Sequence, residues 1–168
     1  MYSKYSYFLL IIAGLFLFGC SSGNNQEETT DDGWLTSIED EDKQIEAIQN
    51  QFRGFDMAMV ETGYRYVELY WAGQDENWEY ADYQLEKLRK AIEMGLERRP
   101  KRVASAQPFL NGVLPEMEKA LDQQDIEAFR EKFNVLTQGC NTCHAAEEVP
   151  HFEVQQPEHR NSPIKKSD

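Results

Sequence analysis

The run Gln138-Gly139-Cys140-Asn141-Thr142-Cys143-His144 sets two thiols two residues apart, with an imidazole directly after the second. On one turn of helix, thiols so spaced can add to the two vinyl groups of a porphyrin, and His144 can then reach the iron from the proximal side. Cys-x-x-Cys-His is the sequence signature of that attachment. A bare Cys-x-x-Cys also serves as half of a structural zinc site or as a thioredoxin-like dithiol. Here there is no second such pair at zinc spacing and no βαβ pattern around the motif. His151 and His159 remain as residues that could complete a metal site. The expected cofactor is heme c, joined through Cys140 and Cys143 with His144 on the iron.

A second chemical position lies near the N-terminus. Lys4 precedes an apolar stretch from Tyr7 to Phe18, and Leu17-Phe18-Gly19-Cys20 resembles the lipobox of bacterial lipoproteins. The stretch is short for a membrane span and reads as a signal segment over 1–19, with Cys20 as the lipidated first mature residue. Heme attachment of this kind occurs outside the cytoplasm, the side to which such a lipoprotein is exported. The three cysteines are then all assigned, with none left for a disulfide. Residues 20–37 are polar, small and acidic and are expected to act as a tether.

With 17 basic and 30 acidic residues the chain carries a net charge of −13. Nucleic acid and anionic membrane surface are therefore poor partners, and a protein with a basic face is favoured by steering. No triad, metalloprotease motif or nucleotide loop calls for an enzyme. An electron carrier is the better expectation than a catalyst.

The elements that must position Cys140, Cys143 and His144 are helical. Residues 38–148 show four stretches of helical period and almost no strand signal. The first is expected over Glu41 to Ala72, loosened near Asn50. Its wheel gathers Phe52, Phe55, Met59, Gly63, Tyr66 and Tyr70 on one side and Glu61, Arg65 and Glu68 on the other. After a Gly73-Gln74-Asp75 turn, a second runs from Asn77 to Arg98. The third, Lys101 to Leu121, must be kinked or divided by Pro108 and Pro115. Asp125 caps the fourth, whose stripe of Phe129, Phe133 and Leu136 continues into Cys140, Cys143 and His144. Short connections predict an all-α antiparallel four-helix bundle with the motif on the inward seam of its last helix.

A single Cys-x-x-Cys-His at Cys140–His144 on the fourth helix resembles the class II cytochromes c, the group containing cytochrome c-prime and its low-spin relatives. The similarity spans 38–148; the tail 149–168 is longer than those proteins carry after the motif, which bears on how open the heme edge is. The resemblance implies either a Met ligand from the first helix or a vacant distal side that admits a small gas. Met57 and Met59 are the two candidates, and periodicity favours Met59, which shares a face with Phe52, Tyr66 and Tyr70. Gly63, one turn on, would let the porphyrin approach that helix closely. The alternatives are Met59 as core filler and ligation by His151 or His159. Tyr66 and Tyr70 could meet heme propionates, although packing is the simpler role. The basic cluster Arg98, Arg99, Lys101 and Arg102 could meet a propionate or an acidic partner, or be a solvated helix junction.

These readings converge on a lipid-anchored monoheme cytochrome c moving single electrons in the cell envelope, on the periplasmic or surface side of a bacterial membrane, with the outer membrane favoured. A gas-binding or gas-sensing heme protein is the alternative. A non-heme binding lipoprotein is the third.

Overall fold

In the computed structural model, which describes residues 33–166, every regular element is helical: α1 (Glu41–Phe52), α2 (Phe55–Gln74), α3 (Trp78–Arg98), α4 (Val103–Pro108), α5 (Leu114–Gln123) and α6 (Ile126–Ala146). The signal segment, Cys20 and most of the expected tether lie outside the described residues. Contacts divide the chain into two units, one ending at Gln44 and the other beginning at Ile45.

In the first unit, residues 33–37 form a turn closed by the Ser37 amide on the Gly33 carbonyl at 3.1 Å. Asp40 then caps α1, its carboxylate accepting from the Lys43 amide at 3.0 Å.

Helices α1 and α2 are separate, where the sequence reads as one loosened helix. Arg53 takes a left-handed φ of 58° and Gly54 is extended, so the register of α1 does not carry into α2. Phe52, expected on the inward face, is therefore 60% exposed. The inward face of α2 is otherwise as its periodicity requires: Phe55, Met59, Tyr66 and Tyr70 all pack on the core. Glu68 is a second departure. Its wheel position is with the charged residues, yet it is 2% exposed. Tyr80 and Ser162 donate to its carboxylate at 2.8 and 2.7 Å, so burial leaves it hydrogen-bonded.

Helix α2 runs through Gly73 and Gln74, beyond the turn expected there, and packs most extensively on α3. Gly95 is the reason they come so close. A Cβ there would stand 2.6 Å from the Ala58 Cβ and 2.9 Å from the Phe55 ring.

Between α3 and α5 the prolines divide the chain as their chemistry demands. Pro100 begins a 3-10 turn, Pro108 ends α4, and a π-helical turn over Phe109–Val113 leads to Pro115 in the first turn of α5. Each proline lacks the amide that would close an interior bond, and the wider turn absorbs the mismatch. The Leu110 carbonyl inside it accepts from Arg89 at 3.0 Å, and Arg89 also pairs with Glu118 at 2.6 Å.

Asp125 caps α6 as expected, its carboxylate taking the Ala128 amide at 2.7 Å. Phe129, Phe133 and Leu136 are fully buried with Leu69, Leu88 and Leu114, each such side chain contributing roughly 1.5–3 kcal/mol. Phe133 sits at the centre, its ring 4.8 Å from Tyr66, 5.0 Å from Tyr70 and 5.6 Å from Phe129. Tyr66 and Tyr70 thus pack on the core. Below Phe133 the same face of α6 continues to the motif.

Candidate functional site

Where the buried stripe of α6 reaches Cys140, the interior opens into a cavity of about 260 Å³. Met59, Gly63 and Tyr66 of α2 line it, facing Cys140, Cys143 and His144 of α6. Phe109, Ala106 and Ile92 close its inner side, and Phe152 and Val154 of the tail close another. The walls are mainly apolar, with Asp56, Arg102 and Glu147 as the charged members, and a flat hydrophobic cofactor suits such a site. Gly139 lets α6 approach the π turn, since a Cβ there would lie 2.9 Å from the Phe109 ring and 3.0 Å from Val113. At Gly63 a Cβ would meet nothing within 4 Å, so space is left beside α2.

The tail does more than follow the motif. Glu148, at a φ of 62°, reverses the chain after α6. Its amide bonds the Ala145 carbonyl at 3.1 Å and the Val149 amide bonds the His144 carbonyl at 2.9 Å, the two bonds of a Schellman cap with Pro150 just beyond. The returning chain brings the Phe152 carbonyl 2.5 Å from His144 Nδ1. A carbonyl only accepts, so Nδ1 carries the proton and Nε2 keeps the lone pair that binds a metal.

Both thiols are free and half-buried. Burial pushes the Cys140 thiol up to about 12, with Cys143 beside it adding to the rise. Cys143 is also raised, by burial first and then by the Glu147 carboxylate. With nothing bound, neither thiol is held as a reactive thiolate. Among the described residues no three His, Cys, Asp or Glu side chains gather as a cation site.

At the rim, Arg102 pairs with Glu147, which Ser105 also donates to. The guanidinium lies over the Phe55 ring at 5.5 Å, and its buried Nε has no hydrogen-bond partner. Of the basic cluster, Arg102 is the member that lines the cavity.

The structure thus brings Met59 together with Cys140, Cys143 and His144 and leaves Met57, 37% exposed, off the cavity. His151 and His159 do not line it either; both are exposed. Sequence reasoning passed over Asn141, Phe152 and Val154. Only Pro150, a stop signal beyond a helix end, marked where the tail would turn. The residues present fit a covalently held heme: paired thiols, an imidazole whose Nε2 is left as the acceptor, mainly apolar walls and an arginine in the lining.

No family model matches the chain, and neither a curated protein nor a solved structure is similar to it. Among the described residues no helix is long and apolar enough to cross a membrane.

Proposed function

We propose that this protein is a monoheme c-type cytochrome, an antiparallel four-helix bundle anchored by lipid at Cys20, that carries single electrons outside the cytoplasm. The observation that carries the reading is the convergence of Cys140, Cys143, His144 and Met59 on one apolar cavity, with His144 Nδ1 bonded to the Phe152 carbonyl.

Heme supplies one-electron chemistry between ferric and ferrous iron, within a range of potentials set by its ligands and surroundings. Cys140 and Cys143 hold it by thioether bonds. His144 offers Nε2 on one side, and the Phe152 carbonyl fixes the ring and raises its basicity. Met59 offers a thioether sulfur from α2, a ligand that favours a higher potential. The apolar walls of Phe109, Ile92 and Val154 exclude water. Arg102, the member of the basic cluster that lines the cavity, is the cation an acidic substituent would meet. The net charge of −13 steers a basic-faced redox partner toward the protein.

The space beside Gly63 favours one second reading, in which Met59 is not a ligand and a small gas binds on the α2 side. Reduced protein, expressed with a heme-attachment system, separates the two. A low-spin spectrum unmoved by carbon monoxide is expected for electron transfer; a high-spin spectrum that changes at once means gas binding. Denatured protein that fails to stain for heme peroxidase activity would leave a non-heme binding lipoprotein.

A further inference from the structure

Asn141 occupies one of the two unspecified positions between the cysteines, where the attachment chemistry asks nothing of the side chain. Its amide nevertheless makes two bonds to one residue of the tail. Nδ2 donates to the Val154 carbonyl at 2.9 Å, and Oδ1 accepts from the Val154 amide at 2.7 Å. Only a carboxamide can donate and accept in this way.

The clamp acts on the chain that reaches His144. The tail is pinned on one side by the Schellman cap and by the Phe152 amide on the Val149 carbonyl at 3.0 Å. On the other side it is pinned at Val154 by Asn141. Phe152 lies between these two fixed points, and its carbonyl is the group that meets His144 Nδ1. Beyond the clamp, the Gln156 side-chain Nε2 donates to Asn134 Oδ1 at 2.6 Å, which extends the docking along α6.

We propose that Asn141 is a positioning residue for the proximal ligand, locking the tail so that the Phe152 carbonyl holds the His144 ring and tunes its basicity. The inference rests on the heme reading above and goes beyond it, because it assigns the tail a role in setting the redox potential. A carbonyl acceptor on Nδ1–H makes Nε2 a stronger donor, which favours ferric iron. Releasing the tail weakens that donation and favours ferrous iron.

The test compares the full chain, expressed with a heme-attachment system, with Asn141→Ala and Asn141→Asp. Three quantities are measured: covalent heme by denaturing-gel stain, exchange of the Val154 amide, and midpoint potential. Heme attachment is expected to be unchanged in both variants. In Asn141→Ala the Val154 amide should exchange at least about tenfold faster, and the ferrous form should gain about tenfold at fixed potential, an upward shift of about 59 mV. Asn141→Asp keeps one bond of the two and should fall between. If Asn141→Ala does not accumulate, Val154→Pro removes the amide that Asn141 Oδ1 accepts from and is read by heme stain and midpoint potential. A wild-type potential in a heme-bearing variant with a released tail would overturn the proposal, as would an unprotected Val154 in the parent chain. A parent chain that binds no heme would overturn the heme reading and this role with it, the amide exchange then reporting the clamp alone.

Discussion

Arg160 grips Asp75 across 85 residues of sequence, its two terminal nitrogens at 2.8 and 2.5 Å from the two carboxylate oxygens. The pair is mostly buried, and the guanidinium also lies 4.8 Å over the Trp71 ring. Two-pronged bonds of this kind are among the stronger polar contacts. With Ser162 on Glu68, they fasten the end of the tail to α2. Arg160→Ala should therefore destabilise the protein by about 2 kcal/mol, measured by denaturant unfolding, and should quicken amide exchange from residue 155 onward.

The division between Met59 and Met57 gives a spectroscopic prediction. Met59 lines the cavity and Met57 does not. Met59→Ala should convert the reduced protein from low-spin to high-spin absorption and lower its potential, because a thioether ligand raises it. Met57→Ala should leave both unchanged. The reverse pattern would move the distal ligand to Met57.

Much of this is legible in the sequence. The cap at Asp125, the stripe through Phe129, Phe133 and Leu136, and the division of the third segment at Pro108 and Pro115 all depend on neighbours within a few residues. Met59 was separable from Met57 because both lie on one continuous helix, where 100° per residue holds. The failures share a different cause. Glu68 is buried by Ser162, 94 positions later, and Phe52 is exposed because Arg53 adopts a left-handed conformation that nothing about arginine announces. The Phe152 contact is made by a backbone carbonyl, a group every residue has, so no side-chain pattern can signal it.

Alkaline pH should weaken the fold through its buried tyrosines. Burial pushes the Tyr66 hydroxyl up to about 12, while its bond to Thr137 pulls the other way and Cys140 and Tyr70 nearby add to the rise. Tyr80 is raised in the same direction by burial and by Glu68. In the unfolded chain a tyrosine loses its proton near about 10. Between there and about 12 the folded state holds more protons than the unfolded, so stability falls as pH rises. Below about 10 both states are protonated and the contribution is constant. In the heme-bearing protein, where Cys140 and Cys143 no longer titrate, the tyrosine contribution to stability, read from unfolding midpoints, should be flat from neutral pH to that point and then decline, by up to about 1.4 kcal/mol per pH unit for Tyr66. Tyr66→Phe should show a shallower decline; an equal one would place the titration elsewhere.

Two glycines on facing helices should respond oppositely to alanine. At Gly95 the new methyl meets Ala58 and Phe55, and overpacking of this kind costs about 1–3 kcal/mol. At Gly63 the methyl enters open space, and the better helix propensity of alanine should stabilise the heme-free chain by up to about 1 kcal/mol. Thermal unfolding of the two variants without heme checks both signs.

The central claim concerns covalent bonds at Cys140 and Cys143, and mass spectrometry reads them directly. Trypsin acting on the exported, matured protein should release the peptide from Phe133 to Arg160, which holds both thiols and His144. That peptide should carry the added mass of one heme and resist alkylation at both cysteines. The same peptide at its unmodified mass, with Cys140 and Cys143 both alkylated, would contradict the assignment.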